Sequence, residues 1–424
     1  MADVDAKKAN SLPSEAVGSL LQHHSRIKLK DVEIYPQNIV NLEVREWIFD
    51  LLPRIEVMFK DNGIWFDKFP IEENDVIEAT LAIIETQDEP VKNNFVVQAH
   101  EQGNTSQGEI TASILRVFGY LETKNMYSPL INKSFRNKNS SEVIEQIAKD
   151  IELEADIRVN TVDAMTWLQL HMNNSDMIRH VIDNGYVNDD DALFCYATRD
   201  SKLVVTSFKK EIKKDAKFVA RFSPENSANP DKAPNTADGG SDTNKDDQKI
   251  IFYNDYRFSD QSGLINQKIG YGSRIYYYDY ESGEQRQITI DDDTHDMTTN
   301  SLKTKERVGD IVYAEMKDIQ PINVHDNYLR ASLQNKYMKH QFFSSYLMLT
   351  AKADNSIELF DKVIVNLPQQ DEEGIDAIHS GEYLIIGITH QISSEGLYYM
   401  LLTLGRNGIN AKESVIEDFE TKLN

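Results

Sequence analysis

The run DDDTHD at residues 291–296 gathers hard oxygen ligands around a histidine, the donor types that hold a divalent cation. Its spacing lacks the D-x-[DN]-x-[DN]-G frame of a calcium loop, so a solvated acidic turn is the expected role. Cys195 is the only cysteine, which excludes an intrachain disulfide and a cysteine-based zinc site. It lies in the apolar, strand-like ALFCYA, where a buried and inert thiol is expected rather than a nucleophile. His390 has no serine or cysteine motif beside it and reads as a core histidine bonded to a backbone or carboxylate group. IGYGS at 269–273 holds two glycines but lacks the Lys-Ser/Thr of a phosphate loop, which leaves a turn. Tyr276, Tyr277 and Tyr278 could stack on bases or sugars, yet aromatics in a strand are the pattern of cross-strand packing or an interface. KKEIKKDAKFVAR at 209–221 is locally basic, with five Lys and one Arg against Glu211 and Asp215, and is expected to pair with acidic neighbours. The chain has 69 Asp and Glu, so an acid pair could be drawn almost anywhere and abundance selects none. No catalytic, cofactor-binding or metal-ligating residue is assigned, and the chain is expected not to be an enzyme.

Charge narrows the partners. A net charge of −24 opposes wrapping nucleic acid, because phosphate contacts need clustered Lys and Arg. The same charge suits the wall of a passage through which DNA slides without adhering. No run approaches the ~18 uncharged apolar residues of a membrane span, and MADVDAKKANSLPSEAV has no apolar signal core, so synthesis and folding in a cytoplasm are expected.

With 424 residues, the chain exceeds one ordinary core and suggests three or four units. The stretch YLIIGITHQISSEGLYYMLLTLGRNG at 383–408 alternates as a hairpin turning at Ser393, Ser394, Glu395 and Gly396. Both of its faces are largely apolar, so a second layer or another subunit must cover the outer one. From Arg26 the segments RIKLKDVEIYP, IEVMFKDNGIWFD, DVIEATLAIIET, FVVQAHEQG and ITASILRVFGYLET read as short antiparallel strands, with VREWIFDLLPRI as a helix-like interruption stopped by Pro53. FRNKNSSEVIEQIAKDIELEADI predicts a helix capped by Ser140 or Ser141, with Val143, Ile144, Ile147, Ala148 and Ile151 on one stripe. A second helix, capped by Asn174 or Ser175 and ended by Gly185, precedes a hairpin in ALFCYATRDSKLVVTSF. HDNYLRASLQNKYMKHQFFSS predicts a further amphipathic helix. The two β units, about 26–125 and 341–410, have similar strand counts and could be duplicated modules.

Three phrases, LINKSFRNKNSSEVIEQIAKDIEL, MTWLQLHMNNSDMIRHVIDNGY and SGEYLIIGITHQISSEGLYYMLLTLGRNG, together resemble the baseplate hub proteins of contractile-tailed bacteriophages. That family includes the late control protein D group and is related to the N-terminal part of type VI secretion spike proteins. The resemblance spans about 26–410. It implies an α+β, mainly antiparallel β fold with two tail-tube-like β-barrel domains and smaller α+β domains inserted or appended. The expected division is a polar N-terminal arm at 1–25, a first barrel at 26–125 and an α+β domain at 126–208. A discontinuous second barrel follows at 209–249 and 326–412, carrying a flexible acidic loop at 223–248. An inserted β-rich domain at 250–325 and a tail at 413–424 complete it. The implied role is a homotrimeric hub in the virion tail, with the tail tube protein, a spike protein and other baseplate proteins as partners. Double-stranded DNA would be passing cargo, with no cofactor and no direct membrane binding. The acidic loop departs from the family pattern, and no lysozyme-like or spike-like segment follows residue 410, so wall-degrading activity is expected in a partner chain. The alternatives are a tail-associated peptidoglycan hydrolase and a type VI secretion spike component.

Overall fold

The computed structural model describes residues 25–61, 70–82, 90–107, 110–223, 248–261, 273–279, 283–290, 313–314, 324–369, 374–376, 378–394 and 396–408. The N-terminal arm, most of the 223–248 segment, DDDTHD, the glycines of IGYGS and the C-terminal tail lie outside them.

The first unit consists of β1 (Arg26–Leu29), β2 (Val32–Ile34), β3 (Ile39–Trp47), β4 (Arg54–Asp61), β5 (Val76–Leu81), β6 (Val91–Gln107) and β7 (Ile110–Leu121). Each strand alternates an inward apolar set with an outward polar one, as in β4, where Ile55, Val57 and Phe59 are buried and Arg54 and Lys60 are exposed. The helix expected in VREWIFDLLPRI is absent. Val44 and Glu46 continue the buried alternation of β3, which is paired on both edges, so ladder bonds outweigh the local helical spacing.

The second unit consists of β13 (Phe218–Phe222), β14 (Lys249–Asp260), β18 (Ser345–Lys352), β19 (Lys362–Asn366), β20 (Gly381–Ser393) and β21 (Tyr398–Arg406). Its order, β19-β13-β14-β18-β21-β20, closes on itself through a β19·β20 ladder, giving a six-stranded barrel. β14 is therefore a barrel strand, although an inserted unit was expected to begin at residue 250. β13 runs parallel to both β14 and β19. Parallel neighbours oblige the chain to return to its starting end before pairing, and this requirement accounts for a long connection between residues 222 and 249.

The two units share one plan. The first has the order β3-β4-β7-β6-β5-β1 and the second β14-β18-β21-β20-β19-β13, so the strands correspond one to one in chain order. Their irregularities correspond too. β6 has an extra residue against β7 between Val97 and Ala99, just beyond its last β5 pair, Val76↔Val96. β20 has one against β21 between Ile385 and Gly387, just beyond its last β19 pair, Lys362↔Leu384. A second shared irregularity falls between Ile39 and Asn41 in β3 and between Tyr253 and Asp255 in β14. Bulges bend a strand at a fixed place, and two at matching ladder positions make the units structural repeats. The first unit differs in that β1 is antiparallel to β5, and no ladder closes β2 onto β3 among the described residues.

Between the repeats lies an α+β unit. It comprises β8 (Ile131–Lys138), α1 (Ser140–Asp150), β9 (Glu154–Ile157), β10 (Met165–Met172), α2 (Asn174–Asn184), β11 (Leu193–Ala197), β12 (Lys202–Ser207) and α3 (Phe208–Ile212). α1 starts one residue earlier than expected: Asn139 is the cap, and the Glu142 carboxylate accepts from the Asn139 N–H at 2.9 Å in a capping box. α2 is capped by Asn173 rather than by the expected Asn174 or Ser175, its Oδ1 accepting from Asp176 N at 2.8 Å. Gly185 does end α2, but in an extended conformation. Its value is space, since a Cβ there would lie 2.7 Å from Leu193 Cδ1 and 2.8 Å from Ser140 Oγ. The later helix α4 (Tyr328–Phe342) docks on this unit, where Asn335 Oδ1 accepts from Leu193 N at 3.0 Å and Asn335 Nδ2 donates to Gly185 O at 2.6 Å. A separate three-stranded sheet contains β15 (Ser273–Asp279), β16 (Glu284–Ile290) and β17 (Tyr313–Ala314). No helix among the described residues is long and apolar enough to cross a membrane.

Candidate functional site at the barrel seam

The predicted hairpin is β20 and β21, and its outer face is covered from within the chain. The bulge at Ile386 interrupts strict alternation, so residues 383–388 of β20 are all buried. The added cover is aromatic. A Cβ on Gly387 would lie 2.2 Å from Trp47 Cε3, and one on Gly405 would lie 2.5 Å from Phe343 Cδ1. Phe343 is fully buried and meets Phe49, Phe194 and Phe208 edge to face, with centroids 6.1, 6.1 and 5.6 Å away. Phe208 stacks on Phe342 at 3.6 Å. Rings from the first β unit, the α+β unit and the end of α4 thus form one wedge over the hairpin.

The hairpin also joins the repeats. β20 pairs antiparallel with β3 from Gly387↔Trp47 to Ser393↔Asn41, making all thirteen strands of both units one sheet. Arg199, in the β11–β12 turn, plugs this seam. It is 5% exposed. Its Nη1 donates to His390 Nε2 at 2.5 Å and lies 3.6 Å from Glu46 Oε1. Its Nη2 donates to the carbonyls of Asn355 at 2.5 Å and Ile357 at 3.1 Å. The Arg199 backbone N donates to Glu46 Oε2 at 2.9 Å, and its carbonyl accepts from Asn93 Nδ2. One residue of the α+β unit therefore bonds β3 and β6 of the first repeat and β20 of the second.

The electrostatics follow from enclosure. Burial raises the Glu46 pKa, opposed by the Arg199 guanidinium and backbone N–H. Burial, reinforced by Arg199, holds His390 well below the usual imidazole range, so the ring is neutral. Nε2 must then be the acceptor for Arg199, which leaves Nδ1–H to donate to the Tyr398 hydroxyl oxygen at 2.8 Å. His390 is a satisfied core histidine as expected, but its partners are an arginine and a tyrosine rather than a backbone group or carboxylate. The small cleft beside the plug is lined by Glu46, Asp156, Arg158, Arg199, Asp200 and Glu358, among others. Arg158 lies 2.8 Å from Asp156, and Arg199 closes on Glu46, so cations are interleaved with the acids.

A second buried arginine stabilises the far end of the hairpin. Arg406 donates to the carbonyls of Ser380 at 3.2 Å and Ile378 at 2.9 Å and lies over the Tyr383 ring at 4.4 Å. This cation–π and carbonyl arrangement gives a physical reason for Tyr383 and Arg406 within the GEYL…GRNG phrase.

The remaining candidates are placed separately. Cys195 is half-buried in β11, and burial pushes its thiol up to about 12 against the pull of Lys339. At pH 8 the folded chain should react with an aromatic disulfide reagent on the order of a thousandfold more slowly than the urea-unfolded chain. Equal rates would show that the thiol is accessible. The basic stretch does pair internally: Lys209 with Asp190 at 3.0 Å, Lys217 with Asp361 at 2.9 Å, and Lys214 with the buried Glu211. Tyr276 is half-buried in β15, a strand paired on both edges. No group of three metal-ligating side chains occurs among the described residues. Arg199 was missed by sequence reasoning, since TRDS looks like any polar turn and nothing local marks its guanidinium as buried.

No protein-family model and no curated protein matches the sequence. Solved structures do match in shape. The 43 kDa tail protein of prophage MuSo2 from Shewanella oneidensis aligns with a TM-score of 0.57 at 9% identity, over 92% of this chain and 100% of that one. The tail protein from Neisseria meningitidis MC58 aligns with a TM-score of 0.54 at 11% identity, over 91% and 97%. Both alignments span the repeats and the unit between them, so the chain has the fold of these phage tail proteins.

Proposed function

We propose that this chain is a structural hub of a phage tail, three copies forming a ring that adapts a six-fold tail tube to a three-fold spike. The observation that carries this is the internal repeat: two units of one strand order, fused edge to edge by the β3·β20 ladder, present two tube-like modules per chain. Three copies then supply six modules around one axis. In this role the tube protein binds one side of the ring and a spike trimer the other, with further baseplate proteins outside. The mechanism is steric. A seam locked by buried polar groups keeps the ring rigid while DNA passes as cargo, and the net charge of −24 discourages adhesion to the wall over a Debye length of ~8 Å. The chain needs no cofactor, catalyses nothing and resides in the virion tail after assembly in the host cytoplasm.

Light scattering after size exclusion tests the ring. A mass of 145.8 kDa, three times 48.6 kDa, is expected as concentration rises. A mass of 48.6 kDa that persists when spike protein is added rules the ring out. Clearing of a cell-wall suspension by the isolated chain would instead favour the hydrolase reading.

A further inference from the structure

One face of the α+β unit has no cover among the described residues. β10 pairs with β8 as a two-stranded sheet. Its inner side chains, Phe135, Trp167 and Gln169, are buried, and Trp167 meets His180 of α2 edge to face at 6.1 Å. A sheet with one face in water should turn polar residues outward. β10 instead presents Leu168 and Leu170, 46% and 59% exposed, opposite Ser134 and Asn132, and Leu130 at the start of β8 is 51% exposed. Three prominent leucines on so small a face mark a contact surface. The charge around them has one sign. β8 and β10 carry Lys133, Arg136 and Lys138 and no carboxylate, in a chain with 69 Asp and Glu. Lys133 and Lys138 are paired with Asp150 and Glu142, whereas Arg136 is exposed and makes no ion pair among the described residues.

We propose that the chain's own residues 413–424, ESVIEDFETKLN, seat on this leucine face as an amphipathic helix. The sequence of that segment supplies the complement. Val415, Ile416, Phe419 and Leu423 recur at three and four, the spacing of one helical stripe. Ser414 and Glu417 repeat the capping-box spacing that Asn139 and Glu142 use in α1. Glu413, Glu417, Asp418 and Glu420 flank the stripe, so apolar side chains meet the leucines while carboxylates come beside Arg136. The point of departure is near. β21 ends beside α4, since a Cβ on Gly405 would touch Phe343, the residue after that helix. α4 bonds the end of α2 through Asn335, and α2 packs under β10. Four linker residues and a twelve-residue helix together reach about 30 Å. Crossing α4 and α2 takes two helix diameters of ~10 Å each.

This contact is independent of the ring, and limited trypsin digestion of the full chain tests it. Mass spectrometry reads the release of fragments cut after Lys412 and Lys422. Leu168→Glu with Leu170→Glu should speed that release about tenfold, because a seated segment is cut only when it opens. Ile416→Glu with Phe419→Glu should do the same, and the four changes together should add nothing further, since both pairs abolish one contact. Arg136→Glu, a fully solvent-facing change, should speed release about threefold and serves where the leucine variant fails to fold. Release from the parent as fast as from the variants would overturn the proposal and leave the face to a separate chain. Additive effects of the two pairs would overturn it too, as would protection that grows with protein concentration, which would seat the segment on a second copy.

Discussion

Replacing Arg199 with Ala lowers the unfolding free energy by about 3–5 kcal/mol, the range for removing one partner of a buried ion pair. Four groups lose their partner at once. Glu46 stays enclosed without its cation, His390 Nε2 loses its donor, and the carbonyls of Asn355 and Ile357 lose the guanidinium. Urea denaturation measures the loss. A second substitution, Glu46→Gln, should recover part of it in the Arg199→Ala background, because it removes the stranded charge while keeping an acceptor for the residue 199 backbone N–H. A loss below about 1 kcal/mol for Arg199→Ala would mean that water reaches Glu46 and the plug is not a lock.

Phe343→Ala should cost about 3–5 kcal/mol as well, for a different reason. Phe343 is fully buried, fills the space over Gly405 and touches rings from two other parts of the chain. Truncation leaves a void that its neighbours cannot close, since Phe208 and Phe342 are already stacked. Phe343→Leu should lose less, and both should raise the rate at which a protease cuts between the α+β unit and the second repeat. Equal stability of the alanine variant and the parent would show that the wedge repacks.

Local patterns were legible where burial has a period. The hairpin at 383–408 and the helices α1 and α2 follow from alternation and from spacing at three and four. The resemblance to tail hubs likewise drew on local phrases, and the fold agrees with it. What stayed hidden depends on partners far along the chain. β3 looked helical at VREWIF because Trp47 and Ile48 can continue a helical stripe. Only the distant strand β20 makes Val44 and Glu46 an inward pair. β13 gives no sign that both its neighbours run parallel to it, and the repeat has no residue-level trace because it survives in strand order and bulge position. The buried Arg199 belongs to the same class, as its partners come from residues 46, 93, 355, 357 and 390.

The seam has a consequence for biosynthesis. Glu43 in β3 cannot meet Gln391 in β20 until about 350 more residues have been made, which takes roughly 20–70 s at 5–20 residues per second. For that interval, the edge of β3 that will receive β20 leaves the ribosome with no native mate, and an unpaired edge invites pairing with another nascent chain. Glu43, Arg45 and Glu46 on that strand act as charged guards during the wait. Long loop closure also makes the seam a late event in folding, so slowing translation near the 3′ end of the message should deepen aggregation, while fragments ending before residue 381 should remain open at this edge.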